Sequence, residues 1–180
     1  MVVGALEGDY LKGPLKGHLP KGIELGVKLH RAIDAFTDQH PKMAELRAQF
    51  PLELRRYSGI LIDLSFDHYL SKHWHNYSTL PLDAFNATIY RNLESHKHHL
   101  GPGARRMLLR MQQHDLLSVY GQWDSIAATA ARIGERFQRE NPFLQVAQHL
   151  DPVRPQLELS FLNFYPELIE FCGLKKHQWN

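Results

Sequence analysis

Apolar residues in this chain recur at three- and four-residue spacings and nowhere alternate with polar ones over a sustained run, which restricts it to packed helices. Hairpin dipeptides such as Asn-Gly, which a sheet would call for, are also missing. A short helix or turn is expected at the start, followed by a loop holding Gly13, Pro14, Gly17 and Pro20. Helices are then expected over about 21–36, 41–50, 54–75, 83–99, 104–120, 124–138 and 152–172, broken by Pro41, Pro51, Pro81, the Gly101–Gly103 GPG run and Gly121. The natural architecture is an all-α bundle of about seven helices. With 180 residues, no internal repeat and no linker-like stretch, one domain spanning 1–180 is expected.

Into this pattern are set two His/Asp clusters, LHRAIDAFTDQHP (Leu29 to Pro41) and DLSFDHYLSKHW (Asp63 to Trp74). At roughly 100° per residue, His30, Asp34 and Asp38 stack along one helix face, and Asp63 and Asp67 do so on a second. His68 points about a third of a turn from Asp67. Around the second cluster run Ile60, Leu61, Ile62, Leu64, Phe66, Tyr69, Leu70 and Trp74, with no Lys or Arg between Arg56 and Lys72. A carboxylate taken out of water without a partner costs several kcal/mol, on the order of the whole stability of a small domain. A divalent metal is the simplest partner, and O and N ligands on neighbouring helices suit Mn, Fe or Mg better than a closed zinc site. The competing reading is a structural hydrogen-bond network, and Asp38 alone is well placed to cap the helix beginning near Pro41. His73 and His75 read as hydrogen-bonded core residues.

Bulk properties narrow the function classes. Hydrophobic content of 43% and charged content of 22% are those of an ordinary globular chain. The lone Cys172 cannot form an internal disulfide; it fits a reducing cytosol and reads as a packed core residue. No apolar run reaches 18 residues and no leader pattern opens the chain, so a cytoplasmic protein without a membrane segment is expected. A net charge of +2 does not point to nucleic acid. Local cation groups at Lys12, Lys16 and Lys21, at Arg55 and Arg56, and at Arg105, Arg106 and Arg110 are either solvated faces or a surface for an acidic partner. The triple-His stretch ESHKHH (Glu94 to His99) reads as a solvated helix end, and the literal His114-Asp115 dipeptide arises too easily by chance to carry weight. There is no phosphate-binding Gly loop, G-x-S-x-G elbow or Cys-His pairing.

Four blocks, GDYLKG (Gly8 to Gly13), GVKLHRAIDAFTDQHP (Gly26 to Pro41), RRYSGILIDLSFDHYLSKHW (Arg55 to Trp74) and FLNFYPEL (Phe161 to Leu168), resemble those of the acyl carrier protein phosphodiesterases in order and spacing. The first three are specific; the remainder matches as a generic helical bundle. The resemblance implies a cytosolic enzyme, distantly related to the all-helical His-Asp (HD-domain) phosphohydrolases, that removes the 4′-phosphopantetheine arm from holo acyl carrier protein to give the apo form. It implies a divalent cofactor, Mn²⁺ first with Mg²⁺ or Fe²⁺ as substitutes. Carried over residue by residue, it implies metal ligands at Asp9, His30, Asp67 and His68. It also matches Arg31 and Asp34 of the second block, giving Arg31 a phosphate-binding role and Asp34 or Asp63 the role of ligand orienter or general base. The acidic carrier protein is then expected to dock on Lys12, Lys16, Lys21, Arg55 and Arg56. Members of the family usually carry a further short His-bearing segment before the Gly-rich stretch, and here Met1 lies just upstream of GALEGDY. Two other functions share these residues: an HD-type nucleotide phosphohydrolase, and a non-catalytic helical module that binds an acidic carrier-type protein.

Overall fold

The structure, a computed structural model, describes residues 1–137 and 141–179, and every regular element among them is helical. In chain order these are α1 (Val2–Gly8), α2 (Lys21–Gln39), α3 (Pro41–Gln49), α4 (Leu52–Arg55), α5 (Ser58–Lys72), α6 (Leu82–Ser95), α7 (Pro102–His114), α8 (Leu116–Val119), α9 (Asp124–Gly134) and α10 (Val146–Trp179). Short 3-10 turns occupy Trp74–Asn76, Lys97–His99 and Pro142–Gln145. The all-α expectation holds, with about eight substantial helices among the described residues once the four-residue α4 and α8 are set aside. None of them is long and apolar enough to cross a membrane.

Several boundaries move, each for a local reason. Asp38 is not the cap of α3: α2 runs through it to Gln39, and the N-cap is His40, whose Nδ1 accepts from the Lys42 N–H at 3.3 Å ahead of Pro41 in the first turn. The expected 54–75 helix is interrupted at Tyr57, whose φ of −107° and ψ of 0° leave the helical region. The expected 104–120 helix ends at Asp115, which adopts a left-handed φ of 42° and closes α7 with its N–H on the Met111 carbonyl. Gln138, the expected end of the helix that begins at Asp124, lies outside the described residues. The final helix starts well before Pro152, because the Asn141 side chain accepts from the Phe143 N–H at 3.2 Å and opens a turn that runs into α10.

Two compact units are built from interleaved stretches, the first from Met1–Asp38, Leu80–Ser118 and the chain from Glu167 onward, the second from Gln39–Thr79 and Val119–Pro166. In the first, Val3, Ile23, Leu93, Leu100, Ala104 and Leu108 form the core, with Leu6, Ile89 and Met111 packed against it. The crossing of α1 and α2 depends on bare backbone: a Cβ on Gly4 would stand 2.0 Å from the Ile23 carbonyl oxygen. In the second, α5 is buried along Leu61, Ile62, Leu64, Ser65, His68 and Tyr69, as an almost uniformly apolar helix must be. Phe161 of α10 sits fully buried there, its ring 5.5 Å from that of Phe66 and 4.9 Å from Tyr165. Cys172 is only half-buried, not the core residue expected, because it lies on the part of α10 beyond Phe164 that is mostly exposed.

Candidate active site

In the first unit, the helical register of α2 sets His30 and Asp34 one turn apart, and the end of α1 brings Asp9 to them. His30 Nε2 lies 3.3 Å from Asp9 Oδ1 and 3.3 Å from Asp34 Oδ2. The imidazole lies directly over Gly8, where a Cβ would stand 2.4 Å from its Cδ2. The hydrogen bond with Asp9 raises the His30 pKa above its ordinary value against the opposing effect of burial, and Asp34 adds to the rise. Burial in turn raises the Asp34 carboxyl, partly offset by His30. Arg31, whose charge slightly opposes the rise of the His30 pKa, donates to the Leu11 carbonyl at 2.6 Å and the Gly13 carbonyl at 2.8 Å, fixing the loop that leaves Asp9. Its guanidinium therefore positions the segment carrying Asp9. Lys12 closes the same turn through the Asp9 carbonyl at 3.2 Å.

Two neighbours of Asp9 escaped the sequence reading. Glu7 is buried, and its Oε2 accepts from the Gly101 N–H at 2.8 Å, placing a carboxylate at the start of α7. Tyr10 lays its ring over Gly103, where a Cβ would meet it at 2.4 Å. The signal for Glu7 was present: an acid spaced i, i+4 from buried Val3 on a small apolar helix calls for a partner.

In the second unit, α5 carries Asp63 and Asp67 one turn apart. The Asp67 carboxyl is pushed up to about 7, first by desolvation and then by repulsion from Asp63. Asp67 is nonetheless exposed to solvent on α5, so its carboxyl keeps open access to water. His68, buried at 4% exposure, faces elsewhere: its ring centroid lies 5.4 Å from that of Trp123, and Nδ1 is 2.9 Å from the Tyr120 carbonyl oxygen. A carbonyl only accepts, so Nδ1 carries the proton, and Nε2 is left as a buried lone pair without a hydrogen-bond partner among the described residues. Burial lowers its pKa, which keeps the ring neutral. His73 is the hydrogen-bonded residue expected, 2.7 Å from Glu158 Oε1, whereas His75 is exposed.

The donor set suits a hard divalent metal in type and spacing. Octahedral bonds of ~2.1 Å put adjacent donors about 3 Å apart, close to the separations around His30. His68 has the form in which imidazoles ligate, with one nitrogen fixed by a carbonyl and the other free. Among the described residues, no cation acts on Asp67 to hold it ionised. The residues fit such an ion, although among the described residues no group of three or more His, Cys, Asp or Glu side chains is already arranged as a metal centre. Elsewhere, Asp115 of the His114-Asp115 dipeptide serves the turn after α7 and raises the neighbouring Tyr90 phenol, itself raised mainly by burial. The Glu94–His99 stretch is a largely solvated helix end in which Glu94 pairs with Lys97. Lys12, Lys16 and Lys21 are exposed on the first unit and Arg55 and Arg56 on the second, where Arg55 also bonds the Phe50 and Ala48 carbonyls at the end of α3.

A family model described as acyl carrier protein phosphodiesterase matches residues 1–168. A protein of that name from Klebsiella pneumoniae (strain 342) is 30% identical over 178 residues, covering 96% of this chain and 90% of its own length. Proteins of the same name from Pectobacterium atrosepticum and Escherichia coli O45:K1 are 27% and 28% identical, over 95% and 96% of this chain and 89% and 90% of theirs. No solved structure matches it significantly.

Proposed function

The chain belongs to the acyl carrier protein phosphodiesterase family, and on that premise we propose that it hydrolyses the 4′-phosphopantetheine group from holo acyl carrier protein in a metal-dependent reaction, leaving the apo form. The observation that carries this reading is the 3.3 Å convergence of Asp9 and Asp34 on His30, within a match that runs from residue 1 to 168. The whole chain, 1–180, acts as one such domain in the cytoplasm, within the wider group of HD-type phosphohydrolases.

The residues proposed as ligands for Mn²⁺, or Mg²⁺ or Fe²⁺ in its place, are Asp9 and His30 in the first unit and, taken by themselves, Asp67 and His68 in the second, carboxylate oxygens and imidazole nitrogens that suit such ions. Such an ion, when bound, would supply charge neutralisation at the phosphoryl oxygens and a lowered pKa for a water beside it. Asp34, raised by burial, is a carboxylate basic enough to take a proton from the attacking water at its Oδ2, and its contact with His30 holds it in place. Asp63 positions Asp67 by charge. Water adds its hydroxyl to phosphorus, the bond to the carrier serine oxygen breaks, and that oxygen leaves with the proton. Holo carrier and water thus become apo carrier and phosphopantetheine. Exposed Lys12, Lys16, Lys21, Arg55 and Arg56 meet the acidic carrier protein, so association slows as salt rises.

The test is a comparison of substrates with Mn²⁺ present. Turnover of holo carrier protein, with nucleotides left intact, supports this reading; hydrolysis of nucleotides alone would assign the cluster to nucleotide phosphohydrolysis, and binding of the carrier without turnover would make the chain a binding module.

A further inference from the structure

Arg31 gives two of its five N–H donors to loop carbonyls, so the charge of a phosphodiester brought beside Asp9 and Asp34 would draw on further cations as well. Those on α7 stand out. Arg105 is occupied, donating to the Leu100 carbonyl at 2.7 Å and the His98 carbonyl at 3.0 Å. Arg106 and Arg110 are exposed and form no hydrogen bond or ion pair among the described residues. At i+3 and i+7 from Gly103 they share its helix face, and Gly103 is where the Tyr10 ring rests. The register is pinned from below by the buried Glu7 carboxylate on the Gly101 N–H. Asp9, Tyr10 and the two free arginines are thus held together by two fixed contacts, Glu7 with Gly101 and Tyr10 with Gly103.

We propose that Arg106 and Arg110, with the Tyr10 hydroxyl, bind the anionic oxygens of the substrate phosphodiester beside the Asp9–His30 pair. This rests on the phosphodiesterase reading. A planar guanidinium can present two parallel N–H donors to a phosphate, and two of them on one helix face match its pair of non-bridging oxygens. Tyr10, 41% exposed and resting its ring on Gly103 of the same helix, is open to approach from solvent.

The experiment uses the full chain and has two readouts. Dimethyl phosphate is titrated while the arginine Nε–Hε resonances are followed by NMR, those of Arg106 and Arg110 being assigned from the single variants. Their signals are expected to shift saturably and those of Arg91 to stay fixed; no shift at Arg106 and Arg110 overturns the proposal, whatever the enzyme's activity. In parallel, R106Q/R110Q is compared with the parent on holo carrier protein and on a short phosphopantetheinylated serine peptide that lacks the carrier surface. A 10- to 100-fold fall in kcat/KM on both substrates is expected, with R106K/R110K recovering part of it. A loss confined to the holo protein would make the two arginines carrier-docking residues and contradict the proposal, as would unchanged rates. Should the parent cleave neither substrate, the phosphodiesterase reading fails, and the titration still decides whether this face binds a phosphodiester.

Discussion

His30 Nε2 stands 3.3 Å from Asp9 Oδ1 where the Cγ–Cδ2 side of the ring closes on the bare Cα of Gly8, a position at which a Cβ would come within 2.4 Å of it. Alanine is the better helix former, so helix propensity alone would favour Gly8→Ala. The clash should instead displace the ring and cost about 10- to 100-fold in turnover, the scale of a misplacement near 1 Å. Circular dichroism should show helix content unchanged, and a variant with parental activity would contradict the arrangement.

The same contact sets a pH dependence in metal-free protein. His30 has a folded pKa above its ordinary 6.5, chiefly through the Asp9 hydrogen bond. Its contribution to stability is therefore complete below the unfolded value and is lost as pH rises through the folded one. Asp9→Asn should lower the His30 pKa, read from its ring proton shifts with chelator present, and flatten the decline in denaturant midpoint above pH 6.5. An unchanged titration would sink the assignment of Asp9 as the partner.

Much of this was legible in the sequence, for reasons that can be traced residue by residue. Helical periodicity is a local property, so Ile23, Val27 and Leu29 announced α2, and the i, i+4 spacing of His30 and Asp34 announced a shared face. What resisted reading was the choice among local partners. His40 rather than Asp38 caps α3, since the cap belongs to the residue beside Pro41 and α2 runs through Asp38. Arg31 sits next to His30 in the chain but points to the Leu11 and Gly13 carbonyls, a contact set by a loop whose path no periodicity encodes. Asp67 and His68 are adjacent in sequence, yet one keeps solvent access while the other is buried against Trp123, as a 100° step around a helix requires. Glu7 needed Gly101, 94 residues away, to explain its burial.

Asp67 gives a second pH signature with the opposite chemistry. Its carboxyl is pushed from 3.8 to about 7, so ionising it in the folded chain costs stability that is absent below pH 3.8 and complete above about 7. In chelator, Asp67→Asn should be more stable than the parent at pH 8 by up to about 2 kcal/mol after allowance for solvent screening, with the gap closing toward pH 4. Denaturant unfolding at the two pH values checks this. Parallel stability curves would contradict the desolvated carboxyl.

Arg31 should behave as a positioning residue. Arg31→Ala removes both hydrogen bonds to the 11–13 loop and should destabilise by roughly 1–3 kcal/mol. Amide exchange should quicken at Leu11 and Lys12 and turnover should fall; Arg31→Lys should restore only part, lacking the fork that reaches two carbonyls. Loss of turnover with undisturbed exchange in this loop would return Arg31 to direct substrate binding.

The most direct measurement is the intact mass of holo acyl carrier protein after incubation with this chain, once with Mn²⁺ and once with chelator. Loss of the mass of the phosphopantetheine arm with Mn²⁺ alone, abolished in His30→Ala and Asp67→Ala variants that keep their helix content, is the predicted result. Retention of the arm with Mn²⁺, or its removal in chelator, would contradict the assignment.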